Sequence, residues 1–215
     1  MNYLNEVEQK VAESLLQIKA IKLQPKSPFT WASGWKSPIY CDNRVTLSHP
    51  AIRTYIRQKL SQLIQEEFGS IDMISGVATA GIPQGVLVAQ DLGLPFSYVR
   101  SSAKDHGRQN LIEGEVVSGQ RVVVIEDLVS TGKSSLVAVK ALREAGCNVV
   151  GLVSIFTYGF EEARKNFEEA KCALHSLCNY DALIRVAASN SYILESDIEF
   201  LEKWRQDPAN WNPEN

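Results

Sequence analysis

The sequence predicts an α/β fold: a doubly wound, mostly parallel sheet of about five strands with a small N-terminal subdomain set over it as a hood. Three observations predict it. Short Val- and Ile-rich runs recur at roughly 25-residue intervals, the length of one βα unit. Helix-length segments lie between most of these runs. The runs also show little apolar–polar alternation, as expected of strands covered by helices on both faces.

At the start of the chain, Leu4, Val7, Val11, Leu15 and Ile18 recur at three- and four-residue steps and draw one apolar stripe on a helix. The segment SPFTWASGWKSPIYCDNR, residues 27–44, has Pro and Gly punctuation between aromatic stretches and reads as two strands folded about Ser33-Gly34. Ser48, with Pro50 just inside a helical run, marks the next helix start. Strands are expected at Ile71–Val77, Pro95–Arg100, Arg121–Glu126, Asn148–Thr157 and Cys172–Leu177, and helices at Gly81–Leu92, Thr131–Ala145 and Phe160–Ala170. Ser101–Glu115 breaks the rhythm with a long polar stretch, and such a stretch inside a compact domain is either disordered or functional. Tyr180 to Trp204 reads as two short helices, and the closing DPANWNPEN as frayed. No stretch has linker composition, so residues 1–215 read as one domain, with the N-terminal helix and hood over about 1–48 and the core sheet over about 70–180.

Composition excludes several classes. With 45% hydrophobic and 22% charged residues the chain is neither disordered nor fibrous. Lys and Arg total 22 against 25 Asp and Glu, a net charge of −3, which gives no basic excess for a nucleic-acid partner. Cys41, Cys147, Cys172 and Cys178 form neither a disulfide framework nor a metal pattern and read as small apolar residues in a reduced compartment. The first residues lack a basic n-region and an apolar h-region, and the apolar runs are strand-sized. A cytoplasmic protein with no membrane partner is expected.

The most informative segment is VVVIEDLVSTGKSS, residues 122–135. An apolar strand ends in Glu126 and Asp127, and a Ser/Thr/Gly loop leads into a helix. Ligands bind at the carboxyl ends of parallel strands. Unpaired N–H groups at a helix start favour a phosphate, Gly132 permits close backbone approach, and the Ser130, Thr131 and Ser134 hydroxyls add donors. Gly132-Lys133-Ser134 imitates the end of a Walker A loop, but that motif needs a glycine where Asp127 stands. Carboxylates beside a phosphate cradle suit instead the hydroxyls of a sugar. The order describes a ribose 5-phosphate site.

Here the sequence resembles the phosphoribosyltransferase family, whose motif is a hydrophobic run, two acids and a Thr-Gly-containing loop. Tyr98 to Gly107, YVRSSAKDHG, resembles the catalytic loop of its orotate-specific branch, and FTWASGWKSPIYCDNR resembles that branch's hood. The resemblance spans nearly the whole chain. It implies transfer of ribose 5-phosphate from 5-phospho-α-D-ribose 1-diphosphate to orotate, giving orotidine 5′-monophosphate and pyrophosphate in pyrimidine synthesis. Other readings are a phosphoribosyltransferase for another base and a non-catalytic regulator that binds the same sugar diphosphate.

The resemblance implies these roles. Lys104, Asp105, His106 and Asp127 serve catalysis. Arg100, Lys104, His106 and the run Glu126, Asp127, Leu128, Val129, Ser130, Thr131, Gly132, Lys133 and Ser134 bind the donor. Ser130 and Arg44 face orotate, with Lys36 and Tyr40 as weaker candidates and Trp31 and Trp35 as ring shelter or core. Mg²⁺ is implied, held through substrate oxygens and not by side chains. A homodimer that shares the loop across its interface is also implied. Cations that engage pyrophosphate as its charge grows lower the barrier, which is chemistry suited to Arg100, Lys104 and His106. Four positions depart from the family pattern, because Ala32, Ser101 and the pair Thr79-Ala80 stand where cations or a Tyr-Lys pair are common. Arg44, Lys36 or Lys133 could compensate, as could the backbone N–H groups of Thr79, Ala80 and Gly81. Elsewhere, His49 reads as a cap or surface residue and His175 as a satisfied buried histidine. Glu161, Glu162, Arg164 and Lys165 read as a solvated helix face.

Overall fold

The computed structural model describes residues 5–31, 33–101 and 111–212. Helix α1 (Glu6–Gln17) starts at Asn5, whose side chain accepts from Val7 N at 2.9 Å while Glu8 accepts from Asn5 N at 3.3 Å. The apolar stripe faces inward through Val11 and Leu15, widened by Ala12 and Leu16. The hood follows with β1 (Ile21–Leu23), the hairpin of β2 (Phe29–Thr30) and β3 (Lys36–Ser37), and β4 (Ile39–Cys41), which runs antiparallel to β1. The hairpin folds about Ser33-Gly34 as expected. The β1–β4 pair was not foreseen.

A 3₁₀ turn (Asn43–Ser48) leads into α2 (Pro50–Phe68). The expected helix start at Ser48 is corrected to His49, because Ser48 closes the 3₁₀ turn. His49 N donates to Thr46 O at 3.1 Å, and the first α-helical bond, from Arg53 N, ends on the His49 carbonyl. Pro50 takes the first helical position, where its missing N–H is not needed.

The core comprises β5 (Met73–Val77), α3 (Gly81–Leu92), β6 (Phe96–Val99), β7 (Ile112–Glu113), β8 (Arg121–Val129), α4 (Lys133–Glu144), β9 (Asn148–Thr157), α5 (Glu161–Glu169) and β10 (Ala173–Asn179). Its sheet has six strands in the order β10-β9-β8-β5-β6-β7, not about five. Only β7 is antiparallel, against β6. It lies in what was read as the tail of the 101–115 loop, where buried Ile112 pairs with Val99. A two-residue strand is too short to carry a period. Strand β8 also runs past its expected end, through both acids to Val129.

The sheet is covered on both faces, which explains its continuous apolar strands. Val122 and Val124 pack with α4 and α5, while Val123 and Ile125 pack with α2 and α3. Each fully buried Val or Ile contributes about 1.5–3 kcal/mol. The chain leaves β5 toward β6 on one side and later returns to β8 on the other, so the winding reverses between β5 and β8. Open α/β sheets bind ligands at the carboxyl ends of such a pair.

Helices α6 (Tyr180–Ser189) and α7 (Ile198–Gln206) are the two expected at the C-terminus. Trp204 is fully buried, donates from Nε1 to the Lys36 carbonyl at 3.1 Å, and meets Trp31 edge-on at 5.7 Å. The final segment, read as frayed, is anchored as far as Trp211, whose ring lies 5.0 Å from that of Phe200. His175 is not buried: it lies half-exposed on β10, with Nδ1 3.7 Å from Glu67 and its ring edge-on to Phe68. Among the described residues, no helix is long and apolar enough to cross a membrane.

Candidate active site

The reversal point is assembled from two backbone turns. On the β5 side, residues 78–81 ride over the strand ends into α3, and the Ala78–Thr79 peptide is cis. Gly81 crosses so close that a Cβ there would run into the Ile125 carbonyl. The α3 N-terminus carries no side-chain cap. On the β8 side, Ser130–Gly132 turns the chain into α4, with Gly132 at φ +78°. A Cβ at Gly132 would stand 2.5 Å from the Phe167 ring, so both its conformation and its space require glycine.

The loop's alternate carbonyls are engaged by its surroundings. Asp127 O accepts from Asn43 Nδ2 at 2.7 Å, Val129 O from Tyr158 N at 3.1 Å and Thr157 Oγ1 at 3.2 Å, and Thr131 O from Asn166 Nδ2 at 2.9 Å. No side chain caps α4. Its first N–H donors and its dipole are therefore offered to an anion.

Glu126 and Asp127 stand beside this cradle. Glu126 is 6% exposed. Its Oε1 accepts from Asp127 N at 3.1 Å and its Oε2 from Ser135 Oγ at 3.3 Å. Burial, reinforced by the Asp127 charge, outweighs these two donors and leaves the Glu126 carboxyl pushed up to about 9. Burial also raises Asp127, while the bond with Glu126 and the nearby Arg44 charge pull it down. Burial thus holds both carboxyls above the usual carboxylate range, and each one's charge bears on the other's.

The other expected residues are distributed unevenly. Arg44 is exposed, gripped by Asp42 at 2.6 Å and 2.9 Å, and close enough to Asp127 to influence its charge. Leu128 and Val129 turn their side chains to the core, leaving only backbone for a ligand. Lys133 points outward to Glu162 at 2.8 Å, so it does not replace a missing cation in the cradle, and Glu162 is not merely solvated. Lys36 is exposed and donates to Thr30 Oγ1 at 2.8 Å. Arg100, at the end of β6, lies 3.6 Å from Glu113 and is separated from β8 by β5. Trp31 packs in the aromatic cluster around Tyr158 and Trp204. Ala32, Lys104, Asp105 and His106 lie outside the described residues. Among the described residues that flank the last three, Arg100 N donates to Leu111 O at 2.9 Å. Sequence reasoning missed Asn43, Asn166 and Ser135. Ser135 could have been read from the TGKSS run, whereas the two asparagines act across 84 and 35 residues of chain, beyond any local signal. A groove of about 680 Å³ lies elsewhere, between α5 and β10, lined by Phe160, Phe167 and Leu174.

The phosphoribosyl transferase domain model matches residues 46–180, which take in both turns and the paired acids. The chain belongs to the phosphoribosyltransferase family. Relatives named orotate phosphoribosyltransferase include one from Phocaeicola vulgatus, 57% identical over 97% of this chain and 98% of its own, and one from Listeria monocytogenes, 53% identical over 95% and 98%. Among solved structures, the orotate phosphoribosyltransferase from Aeropyrum pernix superimposes with a TM-score of 0.74 at 26% identity, covering 85% of this chain and 99% of its own. In phosphoribosyltransferase terms, the strand–acids–loop order seen in the sequence is the part of this fold where the winding reverses.

Proposed function

We propose that this chain is an orotate phosphoribosyltransferase, transferring ribose 5-phosphate from 5-phospho-α-D-ribose 1-diphosphate to orotate and releasing pyrophosphate. The observation that carries the reading is one juxtaposition: two half-dry carboxylates beside an uncapped helix start, with the hood's Arg44 near enough to feel Asp127. Relatives at 53–57% identity over nearly their whole length support orotate as the base.

In this reading the N–H groups and hydroxyls of residues 130–134 hold the 5′-phosphate, and Glu126 and Asp127 accept from the ribose hydroxyls. Arg44 meets the orotate carboxylate beside Ser130. Arg100, Lys104 and His106 engage the pyrophosphate as its charge develops, and Asp105 orients them or relays a proton. Turn 78–81 offers pyrophosphate backbone donors in place of the missing Tyr-Lys pair. The adjacent carboxylates also fit Mg²⁺ carried on substrate oxygens, the manner in which this ion commonly binds with phosphates. When bound, the ion supplies charge neutralisation at the leaving group. The enzyme works in the cytoplasm as a homodimer whose 101–110 segments serve the neighbouring sites, and residues 1–215 act as one domain.

The test is release of pyrophosphate from the sugar diphosphate with orotate, adenine, hypoxanthine or xanthine as acceptor. Turnover with orotate alone is expected. Preference for a purine overturns the base assignment, and binding of the donor without turnover makes the chain a regulator.

A further inference from the structure

Three of the buried polar groups that these roles leave unused meet at one place. Asn43, Thr46 and Gln84 are 1%, 0% and 2% exposed. Gln84 Nε2 on α3 donates to Thr46 Oγ1 at 3.2 Å, and Thr46 Oγ1 donates to the Asn43 carbonyl at 2.6 Å. Asn43 Nδ2 in turn donates to the Asp127 carbonyl at 2.7 Å, while its Oδ1 accepts from Cys41 Sγ at 3.3 Å. The chain of bonds ties together three pieces of backbone. These are α3 just beyond turn 78–81, the hood turn that carries Arg44, and the end of β8 that carries Asp127.

Apolar packing would hold these pieces together without fixing their mutual offset to a fraction of an ångström. A buried polar chain does fix it, because each member is costly to bury in any geometry that breaks its bond. Glycosyl transfer needs that accuracy, since the attacking atom of the base must face the sugar carbon in line. A displacement of about 1 Å can cost roughly a hundred-fold in rate. Asn43 is the only one of the three that bonds β8 directly among the described residues.

We propose that Asn43 is a positioning residue that sets the base-side turn of the hood in register with the sugar-side end of β8. This rests on the assignment of Arg44 to orotate and of Asp127 to the ribose. The remaining tethers of the phosphate loop, Tyr158 N, Thr157 Oγ1 and Asn166 Nδ2, do not involve Asn43, so the donor's cradle survives its loss.

The experiment compares Asn43→Asp and Asn43→Ala with the wild type. It measures orotate kcat/KM, affinity for the sugar diphosphate and Tm from mildly acidic to alkaline pH. An aspartate keeps the shape and the acceptor for Cys41. Protonated, it can donate to the Asp127 carbonyl; ionised, it repels that oxygen. The charged or titratable groups around it, Asp42, Arg44 and Cys41 on its own segment and Asp127 on β8, are present in the wild type, so the variant-to-wild-type ratio isolates residue 43.

Orotate kcat/KM of Asn43→Asp should fall by about ten-fold in alkali and recover toward wild type in acid. For Asn43→Ala the loss should be similar at every pH, with donor affinity changed by less than about two-fold in both. If orotate kcat/KM is unaltered in either folded variant, the proposal is wrong. It is equally wrong if donor affinity and Tm collapse together with orotate use and acid brings no recovery, since that marks a merely structural asparagine. Should the aspartate variant not fold, the split between orotate and donor in Asn43→Ala decides alone. Arg44→Ala separates the underlying reading: unchanged orotate KM there refutes the arginine's role, and with it the premise on which the Asn43 proposal rests, whatever the Asn43 variants show.

Discussion

Glu126 is a carboxyl group that the fold keeps dry, and that has a measurable cost. Its folded pKa is raised above the unfolded value, so the folded state holds a proton that the unfolded chain releases. The stability it contributes is complete below its unfolded pKa and drains away as pH rises toward about 9. Glu126→Gln keeps the side chain's shape and one acceptor oxygen, turns the other into an N–H donor that the Ser135 hydroxyl can accept by rotating, and never ionises. It should therefore match the wild type near pH 5 and exceed it at alkaline pH by about 2 kcal/mol, or several degrees in Tm. A Tm difference that does not grow with pH would show that burial does not govern this carboxyl. The same variant should bind the ribose hydroxyls less well, because its amide presents one acceptor oxygen where the carboxyl presents two. Asp127→Asn should behave differently: kcat falls roughly a hundred-fold while Tm moves by only a few degrees. Equal losses of activity and stability would place that carboxylate in the core and not at the ribose.

At the scale of elements, the crossing of turn 78–81 over β8 leaves no room for a methyl group. Gly81→Ala should cost about 2 kcal/mol or more in urea unfolding, since the Cβ meets the Ile125 carbonyl backbone and not a side chain that can swing aside. A neutral result would mean that the crossing is looser than described. Elements of this kind were partly legible in the sequence. The five long strands and three crossover helices could be read because a strand buried on both faces must be continuously apolar over its length. Glu126 to Ser134 could be read because the cradle is contiguous, so its chemistry and its order coincide. The short β7 could not, since two residues carry no period. The helix start moved from Ser48 to His49 because a 3₁₀ turn abutting a helix uses the same residue types as a cap. Asn43 and Asn166 were silent because their partners are supplied by tertiary folding.

At the scale of the whole molecule, the sheet presents the phosphate cradle on β8 and α4 while Arg100 stands two strands away at the end of β6. Arg100 N donates to Leu111 O at 2.9 Å there. In the proposed dimer, the segment that carries Lys104 serves the partner's site. Lys104→Ala should lower kcat with little change in orotate affinity. Mixed with Asp127→Asn after dissociation and reassociation, it should regain roughly a quarter of wild-type activity, because half the dimers are hybrids with one intact site. No recovery on mixing would confine the loop to its own subunit.

Three of the four tryptophans bear on one further property. Trp35 stacks near Trp31 at 6.3 Å, and Trp31 meets Trp204 across the seam between hood and C-terminal helix. Indole emission depends on neighbouring rings and on contact with water, so the protein carries its own optical gauge of that seam. Lifting the hood from the body would change its fluorescence without any attached dye, and a titration with orotate could be followed by that intrinsic signal.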